Sequence, residues 1–343
     1  MALDEAPPFW WGKPGWQAAL MWPASFLFGR ASARRMDSQP GHSVEVPVIC
    51  VGNFIVGGAG KTPTTMLLAK HIRKRGMKPG ILSRGYGGGI TTATVVEPGK
   101  HNAHDVGDEA LLHANITTTV ISADRPSGAD LLVAQGCDFI IMDDGFQNPS
   151  LHKDFCLVVV DSRRGLGNGF TMPAGPLRVP FGRQLLHVDA VLVIGDEDGA
   201  SNVIRKVARA GKPVFHAEMR MIGKSKWAGK QVLAYAGIAD PSKFFSMLES
   251  AKVKLVDRQG YGDHHTFSEE DVEDLFDRAN RQKLDIVTTS KDAARLKEMG
   301  DVQAKLLEAS QIIEVDLIPE DSMQIERVLD IAIDRAEKRA LAS

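Results

Sequence analysis

Residues 51–63, Val-Gly-Asn-Phe-Ile-Val-Gly-Gly-Ala-Gly-Lys-Thr-Pro, constrain the fold more than any other stretch of this 343-residue chain. They place a glycine-rich turn ending in Gly60-Lys61-Thr62 between a short β-branched run, 46–51, and a run with apolar residues at helical spacing, 64–75. A turn between a buried strand and a helix start is a phosphate cradle. Gly57, Gly58 and Gly60 let backbone N–H groups converge on phosphate oxygens, and the helix adds the positive end of its dipole. In that setting Lys61 neutralises β/γ charge and Thr62 ligates Mg²⁺. The strict Gly-x-x-x-x-Gly-Lys-[Ser/Thr] pattern asks for glycine at 55, where this chain has Ile55. What remains matches the Gly-Gly-x-Gly-Lys-Thr variant of a large P-loop class, with Val56 replacing the extra lysine often found there. The chain is therefore expected to bind a nucleoside triphosphate.

The rest of the sequence alternates strand and helix signals. Runs at 78–83, 92–96, 118–121, 138–142, 155–160 and 190–194 follow the first strand, and several are apolar on both faces. A parallel sheet covered by helices on both faces requires that pattern. A second set at 231–235, 285–289 and 311–315, with helical patterns at 241–252 and 268–280, defines a smaller C-terminal α/β unit. The fold class is α/β, a P-loop NTPase-type sheet plus this second domain joined by a two-stranded ribbon. The expected boundaries are 1–212 for the P-loop domain, 213–222 with 311–318 for the ribbon, 223–310 for the smaller domain and 319–343 for a closing helix.

A chain that is 43% hydrophobic and 24% charged can bury the cores of two such domains. Its formal net charge of −2 supplies no global attraction for nucleic acid. Cys50, Cys137 and Cys156 lie on or beside apolar runs without metal-ligand spacing, and read as buried thiols in a reducing compartment. No run reaches the ~18 apolar residues of a membrane span, and no signal peptide is read.

The second nucleotide element is residues 139–145, Phe-Ile-Ile-Met-Asp-Asp-Gly. An apolar strand ending in aspartate is where a P-loop protein places the carboxylate that organises Mg²⁺, so Asp143 and Asp144 join Thr62 as candidate metal residues. A guanine-reading Asn/Thr-Lys-x-Asp would follow a strand, but Thr289-Ser290-Lys291-Asp292 sets Lys and Asp adjacent, so ATP is preferred. A kinase also needs a base facing an acceptor hydroxyl. Gly107-Asp108-Glu109 and Gly262-Asp263-His264-His265 are the two candidates, an acid and an imidazole that an inter-domain cleft would bring together; either triplet alone also suits a helix cap or a surface turn.

Four of the five tryptophans, Trp10, Trp11, Trp16 and Trp22, lie near the amino terminus with Phe9, Phe26 and Phe28, followed by Arg30, Arg34 and Arg35. Indoles favour the headgroup layer and arginines anionic lipid, but an aromatic arm packed on the protein's own core has the same composition. Pro14, Gly15 and Pro23 are expected to shorten any amphipathic helix here.

Together these motifs resemble the tetraacyldisaccharide 4'-kinase family, the lipid A 4'-kinases. The resemblance runs over nearly the whole chain: 8–11 (Pro-Phe-Trp-Trp), 51–53, 57–63, 83–86 (Ser-Arg-Gly-Tyr), 107–109, 143–147 (Asp-Asp-Gly-Phe-Gln), Asn168-Gly169 with 173–178 (Pro-Ala-Gly-Pro-Leu-Arg), 263–265 and 289–292. It implies transfer of the ATP γ-phosphoryl group, with Mg²⁺, to the 4'-hydroxyl of an acylated glucosamine disaccharide 1-phosphate. Carried over by motif, Asn53, Gly57, Gly58, Ala59, Gly60, Lys61, Thr62 and Pro63 bind nucleotide, Lys61 acts in catalysis, and Thr62, Asp143 and Asp144 organise the metal. Asp108 faces the acceptor hydroxyl with His264 as its partner, and Arg84 and Gln147 contact the acceptor. Where the family often has Glu before Lys-Asp, this chain has Ser290. Such a substrate tilts the tryptophan-rich arm toward a membrane-interface role, and implies a peripheral enzyme on an anionic surface, the cytoplasmic face of the inner membrane. The lipid A precursor is the partner implied; no nucleic acid and no obligate protein partner are inferred. A nucleotide-switched, membrane-associated ATPase is the competing class; it gives no role to Asp108, His264 or the second domain. A soluble small-molecule kinase leaves the tryptophans unexplained.

Overall fold

The computed structural model describes residues 6–238, 240–262, 265–297 and 300–342. The larger part of the chain runs α1 (Trp16–Met36), β1 (Val48–Asn53), α2 (Lys61–Lys74), β2 (Pro79–Ser83), β3 (Thr94–Val95), α3 (Ala103–Val106), α4 (Asp108–Ala114), β4 (Thr119–Ile121) and α5 (Arg125–Ala134). It continues through β5 (Phe139–Asp143), β6 (Phe155–Asp161), α6 (Phe181–Leu186), β7 (Ala190–Ile194), α7 (Ser201–Arg209) and β8 (Val214–Met221). The chain then enters a second unit: β9 (Gln231–Ala236), α8 (Pro241–Ser250), β10 (Lys254–Gly260), α9 (Glu269–Gln282), β11 (Asp285–Thr289), α10 (Ser290–Leu296), α11 (Asp301–Ala309) and β12 (Ser310–Ile313). It returns as β13 (Val315–Pro319) and ends in α12 (Ser322–Ala342).

The large sheet has strand order β13-β8-β7-β6-β1-β5-β2-β4-β3. Strands β8 to β4 are parallel, and the edges β13 and β3 are antiparallel to their neighbours. The central strands β1, β5, β6 and β7 are buried along their whole length, as their unbroken apolar runs require. Ile49 and Val51 pack with Leu68 and Ile72 of α2 and with Val328 and Leu329 of α12 on one face. Cys50 and Val158 face Leu132 of α5 and Val203 of α7 on the other. All three cysteines are buried free thiols.

The small sheet, β10-β9-β11-β12, is wholly parallel. The stretch expected as the ribbon's second limb, 311–318, divides at Glu314. Residues before it pair with β11 in the small sheet, and residues after it pair antiparallel with β8 on the edge of the large one.

The amino-terminal arm is also divided. Trp10 is buried, its indole Nε1 donating to the Pro173 carbonyl at 3.0 Å, and Arg164 lies over the Trp11 ring. Trp16, Leu20 and Leu27 are 74, 72 and 67% exposed on α1, with Trp22 and Phe26 beside them. The opposite face, Ala18, Ser25, Gly29 and Ala33, is buried, and Ser25 Oγ donates to the Thr171 carbonyl at 2.7 Å. Contrary to the expected shortening, α1 runs 21 residues through Pro23. Both Pro23 and Ala19, whose carbonyl loses its partner, lie on the exposed side, where the break in the hydrogen-bond ladder costs least.

Candidate active site

The phosphate loop is built by constraint on both sides. Asn53, at the end of β1, donates from Nδ2 to the Gly57 carbonyl at 3.1 Å, and Thr64 Oγ1 donates to the Gly60 carbonyl at 2.8 Å. Gly57 and Gly60 have φ of +98° and +94°, and a Cβ on Gly60 would lie 2.5 Å from Ile194 Cδ1, so only glycine fits there. Ile55, the departure from the strict pattern, is buried and bridges Leu177, while Val56 N–H donates to the Pro176 carbonyl. That strut fixes the loop where a flexible glycine would otherwise stand. Pro63 falls in the first helical turn, where its missing N–H breaks no helix bond.

Asp143 and Asp144 leave β5 in different directions. Asp143 is buried, its Oδ2 3.0 Å from His113 Nε2 and its Oδ1 3.5 Å from Thr65 Oγ1. Asp144 adopts φ of +52°, which turns its carboxylate onto Arg178, Nη1 at 2.8 Å and Nη2 at 3.1 Å, with Lys61 Nζ at 3.7 Å. Burial opposes charge on Asp144, but Lys61 and Arg178 outweigh it and hold the carboxyl at about 2. The carboxylate that meets Thr62 is a different one. Thr62 Oγ1 donates to Glu109 Oε1 at 2.8 Å. Among the described residues no group of three or more His, Cys, Asp or Glu side chains is arranged to hold a metal ion.

The Asp108-Glu109 pair faces the second domain. Gly107 has φ of +85°, and a Cβ there would lie 2.4 Å from the Tyr86 carbonyl, so glycine lets α4 start against the 85–86 turn. Asp108 is buried; Oδ1 accepts the Glu109 N–H at 2.9 Å and Oδ2 accepts Arg295 Nη2 at 2.9 Å and Nε at 3.2 Å. Arg295, on α10, also donates from Nη1 to the Gly237 carbonyl at 2.6 Å. Glu109 Oε1 accepts the Lys291 ammonium in addition to the Thr62 hydroxyl. Burial resists ionisation of Glu109, yet Lys291, Lys61 and Thr62 lower it to about 2. Two adjacent carboxylates of the large domain are thus each met by a cation of the small one.

His264 lies outside the described residues. Its neighbour His265 is committed to its own domain: Nε2 is 3.0 Å from Asp271 Oδ2, and the ring stacks on Tyr261 with centroids 4.4 Å apart. Arg84 stands exposed on the turn after β2. Gln147 braces the loop, donating from Nε2 to the Asn53 carbonyl at 2.7 Å and to Gln184 Oε1 at 2.9 Å. Sequence reasoning assigned no role to Glu109, Arg178, Lys291 or Arg295. All four sit in the quoted motifs or within three residues of one, but each is identified by a partner distant in the chain, 182 residues away for Lys291 and Glu109.

A sequence model of the family described as LpxK, tetraacyldisaccharide-1-P 4'-kinase, matches residues 17–333. The chain belongs to this kinase family. Among curated relatives, the tetraacyldisaccharide 4'-kinase of Rhizobium leguminosarum bv. trifolii is 48% identical over 339 residues, covering 99% of this chain and 95% of that protein. The tetraacyldisaccharide 4'-kinase of Brucella ovis is 46% identical over 336 residues, 98% of each chain. The crystal structure of Aquifex aeolicus LpxK in complex with ATP superimposes with a TM-score of 0.69 over 92% of this chain and 99% of that one, at 23% identity. The two kinases share one fold.

Proposed function

We propose that this kinase-family chain transfers the γ-phosphoryl group of ATP to the 4'-hydroxyl of an acylated glucosamine disaccharide 1-phosphate, a step of lipid A synthesis. The observation that carries this reading is the bond from Thr62, at the end of the phosphate loop, to Glu109, whose chain neighbour Asp108 is the carboxylate assigned by motif to receive the acceptor proton.

Thr62 and Glu109 fit a divalent cation in donor chemistry: a hydroxyl bonded to a carboxylate that stays ionised across the physiological range. Mg²⁺ held there would neutralise charge on the β- and γ-phosphates. The backbone from Gly57 to Lys61 binds the phosphates, and Lys61 sets its charge against them. The acceptor oxygen bonds to the γ-phosphorus as the bond from that phosphorus to the bridging oxygen breaks, ADP leaves, and the hydroxyl proton passes to Asp108. Arg295, donating twice to Oδ2, and the Glu109 N–H, donating to Oδ1, orient the Asp108 carboxylate. His264 is assigned as its partner by motif, and the engagement of His265 with Asp271 and Tyr261 supports that choice. Arg84 and Gln147 are assigned acceptor contacts.

The exposed apolar face of α1, with Arg30, Arg34 and Arg35 beyond it, supports peripheral docking on an anionic membrane surface, the cytoplasmic face of the inner membrane. No helix of the described residues is long and apolar enough to cross a membrane. A groove of about 480 Å³ between α1 and residues 169–183 combines Trp22, Phe26 and Phe170 with Arg30, Arg34 and Arg183, a lining suited to acyl chains beneath a phosphate. The test is incubation with γ-labelled ATP and either buffer or total bacterial lipid. The proposal expects label in a lipid; label only in free phosphate, with or without lipid, contradicts it.

A further inference from the structure

The turn at 289–292 is more rigidly built than a surface loop needs. Thr289 caps α10, its hydroxyl accepting the Asp292 N–H at 3.2 Å and donating to Asp292 Oδ2 at 2.6 Å. Asp292 is buried and accepts the Gly237 N–H at 3.0 Å, which ties the first turn of α10 to the end of β9. From this fixed turn Lys291 and Arg295, four residues apart and so on one helix face, reach the consecutive carboxylates Glu109 and Asp108.

The two cations are held differently. Arg295 is buried and donates to Asp108, Asp292 and the Gly237 carbonyl, so its guanidinium is locked in place. Lys291 is half-buried on a flexible four-carbon stem, and its ammonium bonds the same Glu109 oxygen that receives the Thr62 hydroxyl. Thr62 marks the end of a phosphate loop at which the terminal phosphates lie. We propose that Lys291 is a catalytic residue supplied by the second domain, which contacts the terminal phosphate of a nucleotide on the phosphate loop and stabilises its charge during transfer. The inference rests on the nucleotide-binding part of the proposed function and needs no particular acceptor. A terminal phosphate carries more negative charge than one carboxylate, and the ammonium already shares Glu109 Oε1 with the Thr62 hydroxyl that marks its place, so a phosphate there offers Lys291 a stronger partner. This gives the small domain a chemical role, because the loop's own Lys61 is then matched by a second cation that only the assembled pair of domains provides.

The experiment measures ATP and ADP affinities by calorimetry in magnesium buffer without acceptor, for the full chain and for Lys291→Ala, Lys291→Met and Lys291→Arg. Lys297→Ala, an exposed lysine at the end of the same helix, is the control. Loss of a charge-assisted contact to the terminal phosphate should weaken ATP about tenfold while leaving ADP nearly unchanged, and should lower kcat on the order of 10²-fold. Lys291→Arg should restore part of both losses, and Lys297→Ala should change neither. Equal weakening of ATP and ADP, or full kcat in Lys291→Met with an unchanged melting temperature, would overturn the assignment. A wild-type protein that labels no lipid contradicts the proposed acceptor, yet the ATP-to-ADP ratio still decides the role of Lys291.

Discussion

Glu109 and Asp144 show how a site's charges are set by neighbours the local sequence does not name. Both carboxyls sit at about 2, below their ordinary values of 4.5 and 3.8, because lysines and an arginine around them outweigh burial. A depressed carboxyl stabilises the fold fully above its unfolded value and loses that contribution as pH falls through its folded value. Wild-type protein should therefore lose stability between about pH 4.5 and pH 2, and Glu109→Gln and Asp144→Asn should each flatten that fall when melting temperature is followed against pH. An unchanged slope in both variants would mean that other carboxylates dominate acid unfolding. The proposed Asp108–His264 pair makes a second residue-scale prediction. Each alanine variant should lower kcat strongly with little change in ATP affinity, and the double variant should resemble the worse single one rather than multiply the losses. The residues of the loop itself were legible because Gly57, Gly60, Lys61 and Thr62 act within one local turn. Glu109 was not, since its meaning depends on Thr62 and on Lys291, which reach it only through the fold.

At the level of elements, α1 divides what composition had merged. Trp10 and Trp16 are alike in sequence context, but the Pro173 carbonyl receives one indole while the other faces outward. No local signal distinguishes them, because the distinguishing partner is 163 residues away. Trp10→Ala should cost about 3 kcal/mol in urea unfolding, through the lost buried ring and its hydrogen bond. Changing Trp16, Leu20 and Leu27 together to serine should leave stability nearly unaltered and sharply reduce sedimentation with anionic vesicles. Undiminished vesicle binding by that triple variant would remove the membrane role from this face. The strand pattern was read well where both faces are apolar, as in β1, β5 and β6. At 311–318, read both as a strand of the small unit and as a ribbon limb, the division at Glu314 was not legible, because the crossing between sheets is set by pairing partners rather than by residue type.

At the scale of the whole molecule, the ion pairs of the candidate site join the part of the chain that carries the large sheet to the part that carries the small one. Besides the α4–α10 pairs, Lys243 meets Asp161 and Arg163 meets Asp240, so the end of β6 is tied to α8 as well. The buried Asp108–Arg295 pair should be costly to halve: Arg295→Met strands a carboxylate and should destabilise by about 3–5 kcal/mol, while adding Asp108→Asn should recover much of that loss in urea unfolding. Equal destabilisation by the single and the double variant would show that the pair contributes packing rather than charge. The central claim, that this site carries phosphoryl transfer to a lipid sugar, is tested most directly with a defined acceptor. Purified full-length protein, Mg²⁺, γ-labelled ATP and tetraacyldisaccharide 1-phosphate should yield label on the 4'-oxygen of the disaccharide. Lys61→Ala and Asp108→Ala should each reduce that rate on the order of 10²-fold or more. Label released as inorganic phosphate with the 4'-oxygen unmodified, or full transfer by either variant, would contradict the account.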